Sequence, residues 1–125
     1  MIVIDTDILI WVLRGNQDIV EQLNNLWAKT LGNIWITPIQ IAEIQAGIRK
    51  GEELRTEKFL NSFAVTLINS AIGELAGHYM NQYRKSHHVM LADAFTAAAT
   101  EFNQFQIWTL NKKHYPMFVS ERFFK

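Results

Sequence analysis

The chain opens on Met1-Ile-Val-Ile4, a run that is apolar at every position and stops abruptly on Asp5. A short β-branched run with no polar face is a strand covered from both sides, which is the signature of a parallel sheet sandwiched between helices. Ile34-Trp-Ile-Thr37, Ala64-Val-Thr-Leu-Ile68 and Gln106-Ile-Trp-Thr109 are further strand candidates, and Arg122-Phe-Phe124 is a short fifth. Helical segments separate them. Ile8 to Leu13 is apolar all round and closes at Arg14-Gly15-Asn16. Ile19, Val20, Leu23, Leu26 and Trp27 recur at helical spacing. Pro38 suits the first turn of a helix running to about Ile48, with Gly51 as its stop. A weaker amphipathic helix spans Glu52 to Ser62. Asn69 or Ser70 caps a long helix with Ile72, Leu75, Ala76, Tyr79, Met80 and Tyr83 on one face. His87-His88 beyond it reads as loop, and the alanine-rich stretch Leu91 to Phe102 as a central helix.

This alternation predicts a single α/β domain over 1–125, a three-layer α/β/α sandwich around a mainly parallel four- or five-stranded sheet. The length of 125 residues agrees with one core. Apolar runs are too short to cross a bilayer, and no secretory leader pattern opens the chain. There is no cysteine, which removes disulfides and thiolate chemistry together. A cytoplasmic protein with no membrane association is therefore expected. Twelve Lys and Arg balance twelve Asp and Glu. That neutrality argues against a protein that merely coats nucleic acid, but permits an acidic site with a basic rim.

The acids are where the chemistry shows. Of four aspartates, Asp5, Asp7 and Asp93 are embedded in apolar sequence, as is Glu43 within Ile-Ala-Glu-Ile. An acid among core residues must find a partner or lose its charge. Several such acids with few cations nearby are best explained by a bound cation, and oxygen ligands suit Mg²⁺ or Mn²⁺. Asp7 is equally suited to cap the helix that follows it. The position of Asp93 inside an alanine-rich helix argues against a capping role. Asp5 and Asn111 fall just beyond strand ends, where sites collect in parallel sheets.

Four segments in order resemble the motifs of PIN-domain (PilT N-terminus) toxins of the virulence-associated protein C type. They are Asp5-Thr-Asp-Ile-Leu-Ile with Arg14-Gly15, Thr37-Pro-Ile-Gln-Ile-Ala-Glu-Ile-Gln-Ala-Gly47, Leu91-Ala-Asp-Ala-Phe-Thr-Ala-Ala-Ala99 after Tyr83-Arg-Lys-Ser, and Trp108-Thr-Leu-Asn-Lys-Lys-His-Tyr115. The resemblance spans nearly the whole chain. It implies Asp5, Glu43 and Asp93 as the catalytic, metal-holding acids. Many members carry an aspartate where this chain has His114. The last metal or water contact thus falls to Asn111, Asp7 or His114, and a histidine there leans toward Mn²⁺; a solvent-exposed His114 without a site role is the alternative.

The resemblance further implies a metal-dependent endoribonuclease, the toxin of a type II toxin–antitoxin pair, that hydrolyses transfer or ribosomal RNA to leave a 5′-phosphate. It implies a homodimer and a small antitoxin as partners. Arg14, Arg84 and Lys112 are the candidate RNA-binding cations, with Arg49, Lys50, Lys85 and Lys113 also near motifs. Three rival readings are weighed. A haloacid dehalogenase-type phosphatase also opens with Asp-x-Asp, but wants Thr or Val where Leu9 stands. A receiver domain needs an Asp after its third strand, and Leu67-Ile-Asn has none. A PIN-fold RNA-binding or assembly module without catalysis is kept open by His114.

Overall fold

The computed structural model describes all 125 residues, Met1–Lys125. Its centre is β1 (Ile2–Ile4), every residue of which is buried. A four-stranded sheet forms in the order β3-β2-β1-β4, with β2 at Ile34–Ile36, β3 at Ala64–Val65 and β4 at Gln106–Trp108. All three pairings are parallel, with Val3 opposite Trp35 on one side and Ile107 on the other. The sheet is thus wholly parallel. Six helices connect it: α1 (Thr6–Leu13), α2 (Gln17–Thr30), α3 (Pro38–Ala46), α4 (Glu53–Asn61), α5 (Ser70–His87) and α6 (Leu91–Phe102).

The chain runs outward from β1 through β2 to β3, then returns to lay β4 on the opposite flank of β1. That reversal creates a switch point at the carboxyl ends of β1 and its neighbours, where a crevice must open. Asp5 stands at that spot.

The two faces of the sheet are covered differently. Ile2, Ile4, Ile34, Ile36 and Trp108 join Ile8, Leu9, Leu23, Leu26 and Ile44 in one core. On the other face Ile107 packs with Ala97 of α6, Tyr115 and Phe123. Ala94, Ala98 and Ala99 meet Ile72 and Ala76 of α5. Small alanines let α6 lie close to both the sheet and α5, and this helix carries six buried residues among its twelve.

Several boundaries differ from the sequence expectation. Strand β3 keeps only two residues, because Thr66 onward turns toward the Asn69 cap of α5. Helix α3 stops at Ala46 with Gly47 as its cap, short of Ile48 and Gly51. His87 closes α5 as its last residue, so it is helical and not loop, whereas His88 lies outside the helix as expected and caps it in the left-handed conformation with φ 54°. Arg122-Phe-Phe124 makes no fifth strand; residues 120–122 form a single 3₁₀ turn, and Phe123 makes an isolated parallel bridge to Ile107.

One buried polar link joins the layers. Gln40 is fully buried, as is Thr37, and Thr96 is nearly so. Thr37 and Gln40 form a capping box at the start of α3, in which the Gln40 Oε1 accepts from the Thr37 N–H at 2.9 Å and its hydroxyl at 2.7 Å. The Gln40 Nε2 then donates to Thr96 Oγ1 in α6 at 2.9 Å. Glu43 lies three residues after Gln40, and Asp93 three before Thr96, so this amide fixes the spacing of two acid-bearing helices. Replacing it while keeping volume isolates the hydrogen bonds. Gln40→Met is expected to lower unfolding free energy by about 1–3 kcal/mol in urea melts, the cost of stranding buried polar groups. Exposed Glu57→Ala should move it by less than about 0.5 kcal/mol.

Candidate metal-dependent active site

Asp5 ends β1 and caps α1. Its Oδ1 accepts from the Thr6 N–H at 2.8 Å, and its backbone N–H donates to the Trp108 carbonyl at 3.0 Å, continuing the β1–β4 ladder. The other oxygen, Oδ2, accepts from Thr109 Oγ1 at 2.9 Å and from the Tyr115 hydroxyl at 2.8 Å. Burial, and then the negative charge of Asp5, hold the Tyr115 phenol protonated well above its usual range. It can therefore act on Asp5 only as a donor.

Asp7 lies one residue into α1. Its Oδ1 accepts from the Ile8 N–H at 2.7 Å. Its Oδ2 accepts from the Leu110 N–H at 2.9 Å and from Asn111 Nδ2 at 3.0 Å, with Thr109 Oγ1 at 3.3 Å. Asp7 and Asn111 are thus each other's partners, stitching α1 to the loop after β4. Even so, desolvation by burial and the adjacent Asp5 raise the Asp7 pKa.

Glu43, on α3, accepts from Thr6 Oγ1 at 2.6 Å through Oε1. Asp93 stands in the first turn of α6, not in its interior as the sequence suggested. There the Met90 backbone N–H, at the helix N-terminus, favours its charged form. Burial raises its pKa most, the charges of Asp5 and Glu43 add to that, and His114 opposes it. The His114 Nδ1 is 3.7 Å from Asp93 Oδ2. His114 therefore faces an acid rather than standing apart.

These couplings bring Asp5, Glu43 and Asp93 to one region at the carboxyl edge of the sheet. No lysine or arginine pairs with any of them; the ion pairs formed by arginines are Arg55–Glu52 and Arg122–Glu101. Their donors are hydroxyls, backbone N–H groups and one imidazole. Oxygen donors short of positive charge are the chemistry that a hard divalent cation fits. No three of the acids and histidines stand close enough to make a ready-made coordination shell.

Of the candidate RNA-binding cations Arg14, Arg84 and Lys112, Arg14 is the one whose groove reaches these acids. Arg14 lines a groove of about 190 Å³ with Arg49, Arg55 and Glu43, so the groove reaches the acidic region at Glu43. Arg84 is in the last turn of α5. Lys112 places its ammonium over the Phe123 ring, 5.5 Å from the centroid. Thr109, Tyr115 and Gln40 were missed as contributors by sequence reasoning. The Thr37-x-x-Gln40 spacing is a legible capping signal. Tyr115 carries none, since a tyrosine amid aromatics reads as core.

Residues 2–116 match the PIN domain family. The chain is 35% identical over 119 residues to "Ribonuclease VapC10" of Mycobacterium tuberculosis, covering 94% of this chain and 88% of that protein. The fold is similar to that in a "Toxin-antitoxin complex from Klebsiella pneumoniae", with a TM-score of 0.80 at 23% identity, covering 100% of this chain and 97% of that one. It also resembles the crystal structure of FitAcB from Neisseria gonorrhoeae, with a TM-score of 0.70 at 20% identity over 92% and 91% of the two chains. With a family match across nearly its whole length and a relative above one-third identity, the chain belongs to the PIN-domain family, among the ribonucleases of the virulence-associated protein C type.

Proposed function

We propose that this chain is an endoribonuclease that uses Mg²⁺ or Mn²⁺ to hydrolyse RNA phosphodiesters, leaving a 5′-phosphate, and acts as the toxin of a toxin–antitoxin pair. The observation carrying this reading is that Thr6 joins Asp5 and Glu43 by hydrogen bonds while Asp93 faces His114, with no lysine or arginine paired to any of the three. Asp5, Glu43 and Asp93 would hold the ion, with His114 the added ligand nearest to Asp93. A bound divalent ion supplies Lewis-acid polarisation of the phosphodiester and a more acidic water.

The protein's own groups do the rest. Tyr115 and Thr109 fix the Asp5 carboxylate from one side, and Thr6 orients Glu43. A carboxylate of this group standing beside the attacking water would accept its proton. Arg14 and Arg84 would neutralise RNA phosphates on either side, with Lys112 a third cation in reserve. The names of the ribonuclease relative and of the toxin–antitoxin structures support an RNA substrate and an antitoxin partner; a transfer or ribosomal RNA as that substrate, and a homodimer, follow from the motif resemblance alone. No helix is long and apolar enough to cross a membrane.

Asp5→Asn, Glu43→Gln and Asp93→Asn are each expected to reduce RNA cleavage by roughly 100-fold or more, since metal assistance contributes several kcal/mol to the barrier. Mn²⁺ should raise the thermal midpoint of the parent protein and do so far less in these variants, a readout independent of turnover. Cleavage that persists in chelator would defeat the reading, whereas RNA binding without cleavage under every metal would favour a non-catalytic module.

Tyr115→Phe removes one donor from Asp5 while keeping the packing. Mn²⁺ affinity should change by about 10- to 100-fold, measured by calorimetry, as expected of a group that orients a ligand.

The raised pKa values of Asp7 and Asp93 also set a pH dependence. A carboxyl with a higher pKa folded than unfolded binds more protons in the native state. Metal-free stability therefore falls as pH rises from the ordinary carboxylate range through the raised values. Asp93→Asn should lift the metal-free melting temperature at pH 7 and flatten that fall. A melting temperature lowered by this substitution at pH 7 would show that the charge is stabilising instead.

A further inference from the structure

The acidic region has a neighbour of opposite character. At the end of α5 and in the turn 112–114, Ser86, His87, His88, Lys113 and His114 line a cleft of about 300 Å³. No carboxylate and no hydrophobic side chain lines it. The sequence keeps acids away from both contributing segments, with none between Glu74 and Asp93 or between Glu101 and Glu121. Lys113, and Arg84 and Lys85 in the preceding turn of α5, take part in no ion pair. Lys113 in the lining, with Arg84 and Lys85 just before it on α5, gives three cations without ion-pair partners, and the one acid at its border, Asp93, faces His114; in a chain neutral overall this favours an anion.

One detail points the same way. The His87 Nδ1 is held 2.8 Å from Ser86 Oγ, which leaves Nε2 as the atom for an outside partner. His114 belongs to both places, since it lines the cleft and faces Asp93 at 3.7 Å.

We propose that this cleft is a phosphate-binding subsite that seats a backbone phosphate of the RNA, flanking the one cleaved at the acidic region. The assignment rests on the ribonuclease reading for the identity of its ligand. Lys113 contributes charge, and His87 and His88 contribute N–H donors. RNA is the occupant assigned because the cleft adjoins the acidic region through His114, which lines it and faces Asp93. Phosphate contacts of this kind position the strand without reading its sequence.

The test uses the full chain carrying Asp5→Asn, and a fluorescein-labelled RNA hairpin with single-stranded flanks. Binding is followed by anisotropy across a salt series. His88→Gly suits the left-handed backbone, and Lys113→Ala removes an exposed charge. Each is expected to weaken RNA binding roughly 3- to 10-fold, and Lys113→Ala to reduce the salt slope by about 1. Lys29→Ala, in the last turn of α2, serves as a control for general charge loss. Unchanged affinity and slope in both cleft variants overturns the subsite. So does a poly-glutamate peptide that binds the parent and loses more affinity than RNA does in those variants, which would assign the cleft to an acidic protein. Absence of cleavage by the unsubstituted protein in Mg²⁺ or Mn²⁺ would sink the ribonuclease reading alone, because the binding comparison does not depend on turnover.

Discussion

Strand β1 is hydrogen-bonded on both edges by parallel partners, and each of its residues is sealed under helices. A polar side chain has nowhere to go within such a strand, so the first one must emerge at its carboxyl end. Asp5 does so, and it caps α1 in the same step. Because β2 and β4 run parallel to β1, their ends open on the same edge. Thr37 after β2 and Thr109 after β4 thereby arrive beside the β1 terminus. Parallel topology thus converts short apolar runs, distant in sequence, into one polar rim.

That rim is held together at an electrostatic cost. Asp7 and Asp93 are partly desolvated, each lies near another carboxylate, and no lysine or arginine offsets them. The structure offsets the cost with neutral donors: Thr109, Tyr115, Thr6, Asn111 and backbone N–H groups. Neutral donors orient a carboxylate without cancelling its charge. Arginines in these places would give a more stable apo-protein and a poorer ligand set for a cation. On the proposed reading, binding of a divalent ion would compensate this excess negative charge.

Much of this was legible beforehand. The apolar runs and helical spacings placed all four strands and six helices, since burial on both faces leaves a direct mark on sequence. Asp5, Glu43 and Asp93 stood out as acids in apolar company. Asp93 was misjudged in one respect: its helix begins at Leu91, as the sequence reading placed it, so this acid is the third residue and sits in the first turn, not in the interior. Arg122-Phe-Phe124 has strand-like composition, yet its backbone makes only one bridge, because the Arg122 guanidinium pairs with Glu101 and donates to the Phe105 carbonyl at 2.9 Å.

The order of elements and the identity of the acids were therefore written in local pattern, where each residue's neighbours in sequence decide whether it can be buried. Tertiary structure alone decided who partners whom. Tyr115 reaches Asp5 across 110 positions and Gln40 reaches Thr96 across 56, and no local pattern encodes a hydrogen bond of that span. His87 and His88 have no meaning as an isolated pair. They acquire one when the end of α5 is folded against Lys113 and His114, because charge acts through space and the chain brings these groups together only once it is packed.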